Sequence, residues 1–153
     1  MILGKHCLAV LVLAAGALSG GVVLAADSTT ISEITVSLAI TNPCNGEAAT
    51  VAGPFRTVFH VNATNSGFHL RISATTHLVG PGSLGNNYDL PSSGGGQFDV
   101  TTVDGTYITP FHAVVVSEGN APNYLVDGID NWIVLGGTLS FNGFTVTGVT
   151  CTP

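Results

Sequence analysis

The sequence predicts an all-β fold, an antiparallel meander that forms a sandwich or an up-and-down barrel and carries one disulfide. Three observations lead there. Apolar and polar residues alternate with a period of two over Phe55–Asn62 and again over Phe68–Val79, the mark of half-buried antiparallel strands. The 20 glycines and 7 prolines recur too often for long helices, and Val, Ile, Thr and Phe dominate between them. The cysteine count becomes even once an N-terminal leader is set aside.

That leader is read over residues 1–25. Lys5 and His6 give a short polar start, and Cys7 to Leu18 is an apolar run broken only by Gly16. Val23-Leu24-Ala25 fits the small-residue cleavage pattern, with Ala26 or Asp27 as the new N-terminus. The run is short for a membrane span and is interrupted by Ser19-Gly20-Gly21. Residues 26–153 are then a single β domain of about 128 residues, long enough to bury roughly two-thirds of its unfolded surface.

Cys44 and Cys151 remain, and in an exported chain they are expected to pair. The loop between them holds 106 residues, and closing it is worth about 4–5 kcal/mol in the chain-entropy model. A bridge also requires the two Cα atoms to lie within about 7 Å, which makes neighbours of the first and last parts of the fold.

The elements follow in order. Ile31–Ile40 is a first strand with Ile34, Val36, Leu38 and Ile40 on its apolar face, and Ile31, out of that phase, belongs to the lead-in. Thr41 to Gly46 is dense turn chemistry. Glu47–Ala52 is a short second strand, ended by Gly53-Pro54. The central hairpin comes next, its strands joined by residues 63–67. Phe55, Thr57, Phe59 and Val61 share one face with Phe68, Leu70, Ile72, Ala74 and Leu78, and Arg56, His60, His69, Arg71 and His77 lie opposite. Gly80 to Asn87 and Pro91 to Gly96 read as surface loops, with Tyr88–Leu90 a brief strand between them.

Gln97–Val103 and Thr106–Ser117 form a hairpin about Asp104-Gly105, and Pro110 marks an edge or a bulge in the second strand. Tyr124–Leu135 and Thr138–Cys151 are the last long strands, joined by Gly136-Gly137. The apolar phase slips between Phe141 and Phe144, and a bulge at Asn142-Gly143 corrects it.

Charge narrows the function. The chain has three basic and nine acidic residues; Lys5 leaves with the leader and no acid does, so the mature charge is −7. Such a surface repels nucleic acid and anionic membrane. After leader removal no membrane contact, no nucleic acid and no cofactor is expected; the partner is an unknown protein or small molecule.

Asn42-Pro43-Cys44-Asn45-Gly46-Glu47, Gly119-Asn120-Ala121-Pro122-Asn123-Tyr124-Leu125-Val126 and the later Cys151 resemble a group of uncharacterised exported bacterial β-proteins. Members tend to carry histidines at alternate positions of the central hairpin, a pattern thinned here to His69, Arg71 and His77 with His60 opposite. The resemblance implies export, the cystine and the β fold; it carries no activity with it.

No catalytic set stands out. The chain lacks a Gly-x-Ser-x-Gly elbow, a His-Glu-x-x-His pair and a phosphate-cradling loop. Asp127 and Asp130 are three apart on a strand and point to opposite faces. Tyr88, Tyr107, Tyr124 and Trp132 fit a core better than a sugar platform. The candidate ligand-binding residues are Arg56, His60, His69 and Arg71. A turn centred on Thr64 and Asn65 sets His60 opposite His69, two imidazoles that need a third ligand such as His112, Asp99 or Glu118 to hold a metal. The two arginines suit a carboxylate or a sulfate. The function expected is a secreted, non-enzymatic β module with a structural or surface-interaction role, its loops at 80–96 and 118–123 meeting a partner. The alternative is a barrel that holds a small ligand with the polar face of the 55–79 hairpin.

Overall fold

The computed structural model describes residues 22–23, 27–65, 67–100 and 104–152. The expected leader lies outside the described residues except for Val22 and Val23, as do residues 101–103 of the expected Asp104-Gly105 hairpin. The strands are β1 (Val22–Val23), β2 (Ser28–Thr41), β3 (Ala48–Thr64), β4 (Gly67–Pro81), β5 (Asn87–Val100), β6 (Gly105–Glu118), β7 (Tyr124–Leu135) and β8 (Thr138–Cys151). They form one sheet in the order β1-β8-β7-β6-β5-β4-β3-β2, with every neighbour antiparallel. A single curled sheet replaces the two sheets of a sandwich.

The curl follows from which aromatic rings meet. β3 and β7 are separated in the sheet by β4, β5 and β6, yet Phe59 meets Trp132 edge-on at 5.7 Å between centroids. Phe141 of β8 packs on both Trp132 (5.1 Å) and Phe55 (5.0 Å). A flat sheet would hold strands four places apart about 19 Å from each other, so these contacts exist only because the apolar faces roll towards one another. Phe59, Leu70, Ile72, Trp132, Val134 and Leu139 anchor one buried cluster. Val51, Leu78, Tyr88, Val115 and Tyr124 anchor a second, nearer the disulfide. The inward phases expected of the central hairpin hold, and its basic residues face outwards.

Several local expectations change. Ile31 lies within β2, on its outer face and 57% exposed. Gly53-Pro54 does not end a strand: β3 runs through it and stays paired to β2, while pairing to β4 lapses at those two residues. A Cβ at Gly53 would collide with the carbonyl of His77, so glycine here permits close approach of β4. Pro91 to Gly96 is part of β5, not a loop. A Cβ at Gly94 would lie 2.8 Å from the Pro110 carbonyl and one at Gly95 2.6 Å from that of Ile72, so these glycines serve close packing of strands. Pro110 is in an interior strand and makes no bulge with β7, but the β5–β6 ladder runs only to Gly94↔Phe111, so its missing N–H falls where pairing stops.

The last hairpin matches its expected limits. Gly136 (φ 56°) and Gly137 (φ 74°) both take the left-handed conformation that a two-residue hairpin turn demands. The register shift between Asp130 and Trp132 leaves Asn142-Gly143 as the expected bulge, and a second shift follows at Asp127/Gly128.

Candidate functional site

Cys44 and Cys151 are joined, with Cα atoms 5.8 Å apart. Around that bridge the two resemblance motifs fold into one polar knot. The Asn42 side chain accepts from Cys44 N (2.9 Å) and donates to the Pro122 carbonyl (2.9 Å) and to the Tyr88 hydroxyl (3.2 Å). Glu47 is 1% exposed and accepts from Tyr88 Oη (2.7 Å), Asn86 Nδ2 (2.6 Å) and Leu84 N (2.8 Å). Burial alone would raise its pKa, but these donors outweigh it and hold the carboxyl below its ordinary value. The motifs are thus structural: they tie the β2–β3 turn to the loop before β5 and the loop before β7.

The polar face of the central hairpin forms an open outer groove of about 340 Å³. Thr29, His60, Asn62, His69, Arg71 and Gln97 line it, contributed by β2, β3, β4 and β5. Three of the four expected ligand-binding residues meet there. The fourth, Arg56, lies apart, opposite Glu33 of β2 and Thr75 of β4. It lies four positions from His60, about 13 Å along a strand.

Register corrects the histidine pairing. The β3–β4 turn lies one residue later in the chain than a turn centred on Thr64 and Asn65, with Thr64 opposite Gly67, so His60 faces Arg71 and His69 faces Asn62. The two imidazoles are diagonal neighbours, and each has its own partner. His60 Nδ1 shares a hydrogen bond with Thr29 Oγ1 (2.9 Å), and His69 Nδ1 one with Asp99 Oδ1 (2.9 Å). No group of three or more metal-ligating side chains occurs among the described residues. Nor do the halves of a triad meet: among the described residues no carboxylate pairs with His60 and no hydroxyl with His69. Arg71, exposed in the groove, makes no ion pair among the described residues.

The same outer face carries two further cross-strand pairs, His77–Asp89 (2.7 Å) and His112–Asp127 (2.6 Å). His112 and Asp127 also border a second groove, of about 430 Å³ and mostly apolar, with Val114 and Leu125. Sequence alone offered no signal for these pairs, because each depends on the register between strands far apart in the chain.

Asp130 faces inwards, as its spacing from Asp127 implies, and is 6% exposed. Thr109 Oγ1 donates to it over 3.5 Å while accepting from Trp132 Nε1 at 3.0 Å. Burial pushes its pKa up to about 6, and the weak Thr109 bond recovers little. Tyr88, Tyr124 and Trp132 are core residues, each 3% exposed or less. No family model, curated protein or solved structure matches the chain.

Proposed function

We propose that this chain is an exported, non-enzymatic β module that works through its outer surface. The observation that carries the reading is the division of side chains. Aromatic and aliphatic groups occupy the inside of the curl, and His60, His69, Arg71 and the three His–Asp pairs are all outside. A carrier needs a lined interior of a few hundred Å³, whereas a contact module needs a rigid scaffold and a decorated exterior. The formed disulfide is compatible with export. So is the lack, among the described residues, of a helix long and apolar enough to cross a membrane.

A second reading is favoured by Arg71. An exposed guanidinium with no ion pair among the described residues, flanked by two imidazoles and two amides in a groove that Asp27 also lines, suits a small carboxylate or sulfate held on the outer groove. N-terminal sequencing and thiol counting on protein recovered from the cell exterior test the export reading. Ala26 or Asp27 at the terminus and no free thiol are expected; an intact leader or two free thiols sink it. A thermal-shift screen with acetate, sulfate and acidic sugars tests the groove, and an upward shift lost in Arg71→Gln supports it.

A further inference from the structure

Seven long strands make an odd meander, so its outermost members, β2 and β8, run in the same direction. They are not hydrogen-bonded to each other. One end is tied covalently, and at the other β1 sits on the β8 rim. The Cys44–Cys151 bridge pins one end at a Cα separation of 5.8 Å. At the other, Val23 pairs with Thr138 of β8, and five residues later Ser28 pairs with Val61 as β2 begins.

We infer that the β8 edge is an acceptor for one extended, uncharged peptide strand from a partner protein, lying antiparallel to β8 at its Thr138 end. The inference rests on the export reading above, because the expected cleavage after Ala25 would remove the segment now seated there. That segment is β1: Val22 lies opposite Leu139 and Val23 opposite Thr138, in antiparallel register. The edge therefore takes a strand of this direction. A strand antiparallel to β8 is also antiparallel to β2, so a single guest presents compatible ladder groups to both rims.

The chemistry of the rims agrees. Edge strands are ordinarily blunted by charge or proline, and β8 has neither between Thr138 and Cys151. Ile34, Val36 and Leu38 on β2, with Phe141 and Phe144 on β8, remain only half-buried on the inner face. A guest with aliphatic side chains at alternate positions would cover them, while its backbone supplies affinity. The bridge narrows the far end, so the guest engages the Thr138–Phe141 part of β8.

The test uses exported protein whose N-terminus has been read. Its probe is a synthetic peptide of residues 16–27 with a lysine tail, beside a control peptide in which Val22 and Val23 are proline. The expected result is that the first peptide slows exchange of those Thr138–Phe141 amides that point away from β7 about tenfold or more and the control does not. Ser140→Lys, which adds a charge at the rim, should abolish the effect without lowering the melting temperature. Protection of these amides without peptide overturns the inference. If it is independent of protein concentration the rims close on each other, and if it grows with concentration a second copy is the guest. Equal action of the two peptides also overturns it. An N-terminus upstream of Val22 sinks the export reading, whereas a processed chain with unprotected amides and no peptide effect sinks this inference alone.

Discussion

Glu47 and Asp130 are both buried carboxylates, and the fold shifts them in opposite directions. Glu47 sits in the knot beside the disulfide, where three donors meet it at 2.6–2.8 Å. Asp130 sits beside Trp132 with a single hydroxyl at 3.5 Å. The first is held below its ordinary pKa and the second is pushed up to about 6. Burial is common to both, so burial does not decide the sign; the supply of donors does. One end of the sheet is organised around a charge, and the middle tolerates a carboxyl best when it is neutral.

The largest effect expected comes from removing the tie beside the knot. Cys44→Ser with Cys151→Ser should lower stability by about 2–5 kcal/mol in urea unfolding. If the polar knot holds that end unaided, the loss will be near zero. Glu47→Gln keeps the shape but removes the charge that the three donors serve. It should destabilise at neutral pH, and by less than the loss of the bridge. Glu47 stabilises above its unfolded pKa, and that contribution disappears as pH falls through its lower folded value. Stability should therefore decline below about pH 4.5 in the parent and much less in the variant.

Asp130→Asn should do the reverse. A pKa of about 6 against 3.8 means that the folded state prefers the proton, so stability falls as pH rises from about 4 to about 6. The amide should gain about 1–2 kcal/mol at pH 7, below the full value of the shift because the site relaxes, and should flatten that interval. A loss of stability at pH 7 would mean that the carboxylate has a partner of its own. The smallest effect belongs to the exposed pairs: His112→Ala should alter stability by less than about 0.5 kcal/mol.

Much of the fold was legible because half-buried strands write their phase into the sequence. Tyr124–Leu135, Thr138–Cys151, the Gly136-Gly137 turn and the bulge at Asn142-Gly143 are all local features, and all appear where expected. Pro91 to Gly96 misled, because glycine that permits close strand approach looks the same in sequence as glycine that frees a loop. The outer groove was legible in composition but not in geometry. Which residue faces His60 depends on where the turn is centred, and a shift of one residue moved its partner from His69 to Arg71. Glu47 gave no sign of burial, since its donors come from residues nearly forty positions away.

The cystine also orders events in time. Synthesis runs from the N-terminus, so the thiol of Cys44 waits while β3 to β8 are made before its mate exists. Through that interval β2 has only β3 to lean on, and hairpins can stack one upon the next as they emerge. The final covalent step then seals the meander: once every ribbon has settled, the two Cα atoms stand 5.8 Å apart, within reach of a bridge.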